Sequence, residues 1–367
     1  MKVIVLGGAG DMGAEAVKDL IGNTDVGQVT IADINTEAAW RLAAALGDRR
    51  VVVRRVDARV HGELVEAIKG HDVAAGAMGP FYLFERGVAE AALDAGVDYI
   101  SICDDHDAVE GVLPLDHRAV AEGRKILTGL GLSPGITNLL ARKGYDELEK
   151  VNSVKAYWAG SAGDSEGLAV ILHTIHIFSG MITSFQEGRS QQIRAGTGRE
   201  VVEFLPPLGR VVTYHLGHPE PLTLPRYLKG IREVSLKGGL TENYLSILAK
   251  AMARLGLTST VAGKQLLGAI LKKALPYFPS DRGKNFMGAR VDITGMKKGK
   301  SVRITYLLVD HMKRLTGIPL SIGAYMMAQG KIKGRGVFAP EAEGAIDQDY
   351  FFNELARRDI KVHSYTL

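Results

Sequence analysis

The chain contains one cysteine, Cys103, in 367 residues. A single thiol excludes an intrachain disulfide framework and fits a reducing compartment. No apolar run approaches the roughly 20 residues that a membrane-spanning helix needs. Met1-Lys2 leads directly into an apolar strand, which leaves no room for a cleaved signal segment, so the expected location is the cytoplasm. Charge of one sign is scarce as well: 45 Lys and Arg against 41 Asp and Glu leave a net +4. The densest basic cluster, Lys297, Lys298 and Lys300, falls in an expected hairpin turn. With neither a basic stripe nor a base-reading motif, nucleic acid is not an expected partner. Internal repeats and low-complexity tracts are also missing. What remains is 46% hydrophobic and 23% charged, the balance of a globular protein, and too long for one ordinary core, so two domains are expected.

The most informative stretch comes first. Lys2-Val3-Ile4-Val5-Leu6 is apolar on both faces, as a strand buried in a parallel sheet must be. It runs into Gly8-Ala9-Gly10-Asp11-Met12-Gly13, the G-x-G-x-x-G spacing in which the glycines permit a tight turn, a close pyrophosphate and close helix packing. Ala14, Val17, Leu20 and Ile21 then recur at helical spacing, so a helix points its positive end at the phosphates. The strand Gln28 to Ala32 ends at Asp33, twenty residues beyond Gly13, where a carboxylate accepts from ribose hydroxyls and repels a 2′-phosphate. No Arg or Lys directly follows in Ile34-Asn35, so NAD is expected rather than NADP. The cofactor set is Gly8, Gly10, Asp11, Met12, Gly13, Asp33, Ile34 and Asn35. It continues at later strand ends and loops with Asp57, Ala58, Met78, Gly79, Pro80, Pro134 and Gly135.

Further on, Asn35–Gly47 reads as a helix with Leu42, Ala45 and Leu46 inward. Strands are expected at Arg50–Val56, Asp72–Ala77, Val97–Ile102 and Lys125–Thr128. Helices are expected at His61–Lys69, Phe84–Ala95, up to Gly123, and at Ile136–Leu148. Six alternating units predict an α/β class with a doubly wound parallel sheet. After Lys150 the pattern becomes α+β with a mixed or antiparallel sheet. Its strands are Val154–Trp158, Glu200–Leu205, Val211–Leu216, Glu233–Lys237, Ala289–Thr294 and Ser301–Leu308, the last two joined by a Gly295–Lys300 loop. Helices Glu166–Phe178, Glu242–Leu255 and Val261–Leu275 accompany them, the last two as a lid or subunit contact. Ile318–Met327 and Asp347–Arg357 are the closing helices.

Proton-handling candidates cluster where the fifth strand ends, at Asp104, Asp105 and His106, with Cys103 beside them and Asp107 after them. Crowded carboxylates separate one another's pKa values, which suits acid–base work; the alternative for Asp105 and Asp107 is helix capping. The run His218-Pro219-Glu220-Pro221-Leu222-Thr223-Leu224-Pro225-Arg226 reads as a rigid loop that brings His218 and Arg226 to a substrate, Arg226 through its planar fork. Cys103 is a substrate contact or, as an alternative, a thiolate nucleophile. His173 with His176, and His215 with His218, have chelating spacing, yet no Cys or tight acidic partner completes a set, so no metal is expected. None of the twelve tyrosines is followed four positions later by lysine, so the proton-transfer pair of short-chain dehydrogenases is absent.

Gly8 to Gly13, Asp33, Val56-Asp57-Ala58, Asp98-Tyr99-Ile100-Ser101, Gly131-Leu132-Ser133-Pro134-Gly135-Ile136-Thr137-Asn138 and Gly336-Val337-Phe338-Ala339-Pro340-Glu341 together make the chain resemble the saccharopine dehydrogenase family. The likeness is nearest to its short members of the lysine 6-dehydrogenase type. It implies a Rossmann NAD-binding domain over 1–132 completed by 316–367, and a 133–315 domain for substrate and dimer contacts. It also implies pyridine-nucleotide chemistry at a carbon–nitrogen bond of an amino acid or amine, in lysine metabolism or close to it, by a homodimer. The alternative reading is an NAD(H)-binding regulator without turnover, which would have no use for an acidic strand end.

Overall fold

The computed structural model describes residues 1–164, 167–274 and 285–367. The chain divides into two compact units, Met1–Ile136 with Lys313–Arg358, and Thr137–Met312 with Asp359–Leu367. The segment expected to complete the first domain therefore divides, and its last nine residues go to the second unit.

The first unit is built on strands β1 (Lys2–Leu6), β2 (Gln28–Asp33), β3 (Val51–Arg55), β4 (Val73–Gly76), β5 (Asp98–Ser101) and β6 (Lys125–Leu127). A seventh strand, Gly336–Phe338, pairs with β6. The order is Gly336–Phe338, β6, β5, β4, β1, β2, β3, every pair parallel. This is the doubly wound arrangement, with the reversal of strand order between β1 and β4, and ligands in such sheets sit beyond the carboxyl ends at that point. Val3, Ile4, Val5 and Leu6 are wholly buried. Truncating a core leucine such as Leu6 to alanine costs about 2–5 kcal/mol.

Two expected inward faces shift. On the helix Asp11–Asn23, Gly13, Ala16, Val17, Leu20 and Ile21 are buried and Ala14 is only half so. On the helix Thr36–Leu46, Ala39 is buried while Ala45 is exposed and Leu42 and Leu46 are half-buried, because this helix packs beside the edge strand β3, where little apolar surface is on offer.

The second unit carries β7 (Lys150–Gly160), β8 (Met181–Gln186), β9 (Arg189–Arg194), β10 (Glu200–Glu203), β11 (Arg210–His215), β12 (Glu233–Leu240), β13 (Met287–Lys297) and β14 (Lys300–Asp310). Its main order is β10, β11, β12, β7, β13, β14 and a last strand, His363–Thr366; the β8–β9 hairpin joins at β12. Only β12 and β7 run parallel along this path, so the sheet is mixed. Ala156, Trp158, Tyr214 and Leu236 form a core with Phe178, Ala249 and Met252, which come from the helices Leu168–Ile177 and Asn243–Arg254 and their ends. The expected helix start at Glu166 and the expected helix end at Leu275 lie outside the described residues; the third helix spans Val261–Ala274.

The expected loop Gly295–Lys300 contracts to Lys298-Gly299, with φ of 53° and 71°. Positive φ at both central residues is the type I′ pattern whose twist suits a two-residue hairpin. Among the described residues no helix is long and apolar enough to cross a membrane.

Candidate functional site

In the first unit the glycine turn is built by backbone crowding. A Cβ on Gly13 would lie 2.2 Å from the Gly7 carbonyl oxygen and one on Gly8 2.8 Å from that of Val5, so neither position accepts a side chain. At Gly10, by contrast, the nearest atom to such a Cβ is 3.4 Å away. Gly10 is also the N-cap of the thirteen-residue helix and offers no side chain to its first turn. Those amides are the orphan donors that an anionic group satisfies. The cradle therefore fits a dinucleotide pyrophosphate.

Asp33 is aimed at the same turn. Its Oδ2 accepts from the Ala9 N–H at 3.1 Å and its Oδ1 from the Asn35 N–H at 2.9 Å. Each oxygen keeps a lone pair for a ribose hydroxyl, and the carboxylate is oriented before any ligand arrives. Ile34 beside it is exposed. The Val56 N–H donates to the Asp33 carbonyl, which brings the end of β3 alongside. There Asp57 is gripped by Arg59, Nη2 to Oδ2 at 2.6 Å and Nε to Oδ1 at 2.8 Å, and that pairing lowers its pKa to about 2.

The loop after β4 closes the other side. A Cβ on Gly7 would meet Ala77 and Met78 backbone atoms at 2.7–3.0 Å, so the Met78-Gly79-Pro80 segment runs against the glycine turn. Pro80 is the N-cap of the helix Phe81–Asp94. Pro134 and Gly135 sit over the next loop: a Cβ on Gly129 would lie 2.7 Å from Pro134 Cγ and 3.2 Å from the Cys103 carbonyl oxygen. The sequence-derived cofactor residues thus gather along the carboxyl edge of the parallel sheet.

The acidic strand end follows on β5. Asp105 is wholly buried and is the N-cap residue of the helix His106–Val112, yet its side chain does not cap that helix. Its Oδ2 instead accepts the Tyr82 N–H at 2.9 Å, so it caps the helix Phe81–Asp94. Asp104 and His106 are half-buried, and the exposed Asp107 accepts the Ala108 N–H at 3.0 Å. Burial and then the neighbouring Glu85, Asp105 and Asp104 push the Cys103 thiol well above its usual range. It stays protonated, which is the opposite of what a thiolate nucleophile requires.

Beneath this loop lies a residue that sequence reasoning missed. Glu85 is 1% exposed. It accepts from Tyr99 Oη at 2.8 Å, Ser101 Oγ at 2.5 Å and Thr128 Oγ1 at 3.4 Å. Desolvation outweighs these three donors and, with the charge of Asp105, raises the carboxyl to about 7. Gly76 leaves room for the arrangement, since a Cβ there would lie 2.2 Å from Tyr99 Oη. The signal was available, because Glu85 interrupts the buried stripe Phe81, Val88, Ala92 of its helix.

In the second unit, the run expected to be a rigid loop is a helix, Glu220–Tyr227; Pro221 sits in its first turn, where no amide hydrogen is missed, and Pro225 lies inside it. Arg226 is in the last turn, exposed, with its guanidinium 5.9 Å from the Tyr227 ring, and is not brought beside His218. His218 is buried. Its Nδ1 lies 3.7 Å from Glu220 Oε2, and its ring meets His173 edge-on at 5.3 Å and Trp158 at 6.0 Å. Glu220 is wholly buried and accepts from Thr137 Oγ1 at 3.2 Å, while Asn138 Nδ2 donates to Thr223 at 3.3 Å. Of the histidines spaced three apart, His176 Nδ1 accepts from Lys264 Nζ at 2.6 Å, and burial lowers His215 to about 4.

Comparison with known proteins gives the same picture over the whole length. The family model described as the saccharopine dehydrogenase NADP binding domain matches residues 3–127, and the one for the saccharopine dehydrogenase C-terminal domain matches residues 197–360. A carboxyaminopropylagmatine dehydrogenase of Synechocystis sp. is 22% identical over 99% of this chain and 97% of its own. The apo saccharopine dehydrogenase (L-Glu forming) of Saccharomyces cerevisiae has the same fold, with a TM-score of 0.72 and 17% identity over 100% of this chain and 99% of its own. With a glycine cradle at the carboxyl edge of a parallel sheet, a mixed-sheet second unit and both family models matched in order, the chain belongs to the saccharopine dehydrogenase family, oxidoreductases that act on carbon–nitrogen bonds.

Proposed function

We propose that this chain is an NAD-linked oxidoreductase that interconverts a carbon–nitrogen single bond and an imine in an amino acid or amine of the saccharopine or lysine type. The observation that carries this reading is the convergence of the glycine cradle, the oriented Asp33 and the acidic end of β5 on one edge of the first sheet. The domain over 1–132, completed by the segment that returns after residue 316, holds the dinucleotide, and the 133–315 domain holds the substrate. When bound, the nicotinamide supplies or accepts the hydride.

The chain's own task is the proton and the orientation. Asp104 and His106, both half-buried, are the groups to hold and move a proton at the substrate nitrogen, while Asp105, committed to the Tyr82 N–H, positions the loop. Cys103 is a neutral packing contact. His218, steadied by Glu220, contacts the substrate; exposed Arg226 is retained as a carboxylate partner to be tested by substitution. NAD is favoured over NADP because a carboxylate at Asp33 would repel a 2′-phosphate, and nearby cations are already engaged, Arg41 by Glu37, Arg55 by Glu63 and Arg59 by Asp57. We further propose a homodimer, since Ile247, Leu255, Leu266 and Ile270 leave apolar surface exposed on the second unit's helices; light scattering checks it.

The test is absorbance of the reduced cofactor with NAD or NADP and a panel of saccharopine, lysine and diamines. Turnover is expected with at least one amine, and Asp104→Asn is expected to lower kcat and shift the pH profile. Tight NAD binding without turnover on any amine would instead identify a regulator that senses the cofactor.

A further inference from the structure

The second unit holds a cavity of about 290 Å³ beside the β8–β9 hairpin and the ends of the helices Leu168–Ile177 and Asn243–Arg254, which no part of the proposed reaction uses. Its charged lining consists of Arg194, Lys250, Arg254 and Lys264, with no carboxylate among the described residues that line it. Two other cavities differ from it sharply. The one over the face of the second sheet sets Lys155, Arg210, Arg290 and Arg303 against Glu200, Glu203, Glu233 and Asp292, and a larger one in the first unit sets Arg49 and Arg50 against Asp25 and Asp48.

Lys250 shows how the cavity is organised. Its ammonium is held 3.8 Å over the Tyr214 ring, so an aromatic face does what a carboxylate usually does. Gly196, at a φ of 73°, leaves room for its stem, since a Cβ there would lie 2.8 Å from Lys250 Cγ. Burial and the positive charges of Arg254 and Arg199 lower the pKa of Lys250. Lys264 donates to His176 Nδ1 at 2.6 Å, which fixes its position on the wall. Ser179 and Thr258, hydrogen-bonded to each other at 2.7 Å, add hydroxyls to the lining. Arg254 and His176 lie in the last turns of their helices, where a cation answers the helix dipole. That accounts for Arg254 alone; Arg194 comes from a strand end, and Lys250 lies a turn earlier.

We propose that this cavity binds a compact oxyanion carrying two or more negative charges, a phosphate-bearing or polycarboxylate metabolite, at a site separate from the glycine cradle. Two guanidiniums and two ammoniums around a space of this size match several anionic oxygens at once.

The test compares the full chain with its Arg194→Ala/Arg254→Ala double variant in thermal unfolding and calorimetric titration. The probes are inorganic pyrophosphate, citrate, and sodium chloride at matched ionic strength. Binding of pyrophosphate in the glycine cradle is common to both proteins, so the difference between them reports this cavity. Saturable stabilisation by pyrophosphate or citrate is expected in the parent, weakened at least tenfold in the double variant, while affinity for NADH is unchanged. The stronger of the two probes then identifies the ligand as phosphoryl or carboxylate. Because Arg194 and Arg254 are exposed, the fold does not depend on them, and Lys264→Gln provides an independent second variant. Equal stabilisation by chloride, equal affinity in parent and variants, or no response to either anion overturns the proposal.

Discussion

Replacing Glu85 with glutamine removes one ionisation and little else, since the amide keeps the shape and an oxygen for Tyr99 or Ser101. The carboxyl titrates near 7 in the folded chain against an ordinary 4.5, chiefly because it is wholly buried. Between pH 4.5 and 7 the folded chain therefore holds a proton that the unfolded chain has released, and stability falls as pH rises through that window. One pKa unit corresponds to about 1.4 kcal/mol, so the loss amounts to about 3 kcal/mol, complete above pH 7 and absent below 4.5. Glu85→Gln is expected to match the parent at pH 4 and to exceed it by up to about 3 kcal/mol at pH 8. In thermal unfolding this corresponds to roughly 2–4 °C per kcal/mol for a unit of this size. Asp105→Asn, which removes a charge that raises Glu85, should narrow the gap. Urea unfolding followed by circular dichroism at pH 4, 6 and 8 measures it. A difference that stays constant across those values would refute the reasoning, because it would mean that Glu85 ionises alike in both states.

Four other outcomes follow from the same geometry. Gly13→Val forces a Cβ to within 2.2 Å of the Gly7 carbonyl oxygen, so NADH fluorescence titration should show binding lost by at least two orders of magnitude. Asp33→Ser removes the acceptor pair at the turn and should erase the preference for NAD over NADP in steady-state kinetics; an unchanged preference would show that the acid is misassigned. Gly238→Ala drives a methyl to 2.2 Å from the Trp158 indole, and overpacking of this kind costs about 1–3 kcal/mol, visible as a lower urea midpoint. Acid also weighs on the second unit: half-buried His215 titrates near 4 rather than 6.5, so stability drops as pH falls from 6.5 to about 4, and His215→Asn should flatten that limb.

How far the sequence could be read depended on the range of the forces involved. The parallel sheet and its cradle were legible because a doubly buried strand, a glycine turn and an acid at fixed distance are local signatures. The β8–β9 hairpin was not, because Met181–Gln186 buries the polar Thr183 and Ser184 while exposing Met181, Arg189–Arg194 is mostly exposed and polar, and the turn relies on Glu187 and Gly188 at positive φ. The strand His363–Thr366 was missed for a related reason: every residue in it is exposed, so only pairing with β14 reveals it. Pro221 and Pro225 suggested a loop where the chain forms a helix, a case of tertiary packing overriding propensity. At the site, the acids of the Cys103–Asp107 loop could be found from their clustering, whereas Glu85 and Glu220 required knowledge of burial, which single residues do not announce.

The strand Gly336–Phe338 has a consequence for how the molecule is made. It completes a sheet whose other six strands have all been synthesised by residue 127, and Arg358, bound to Asp19 at 2.7 Å, fastens the same unit later still. A ribosome releasing this chain from its N-terminus must therefore present the nucleotide-binding half with an unpaired sheet edge at β6 for some two hundred residues of elongation. The usual sequence, in which the first domain finishes before the second begins, is closed to it: the half that appears first is the half that must wait.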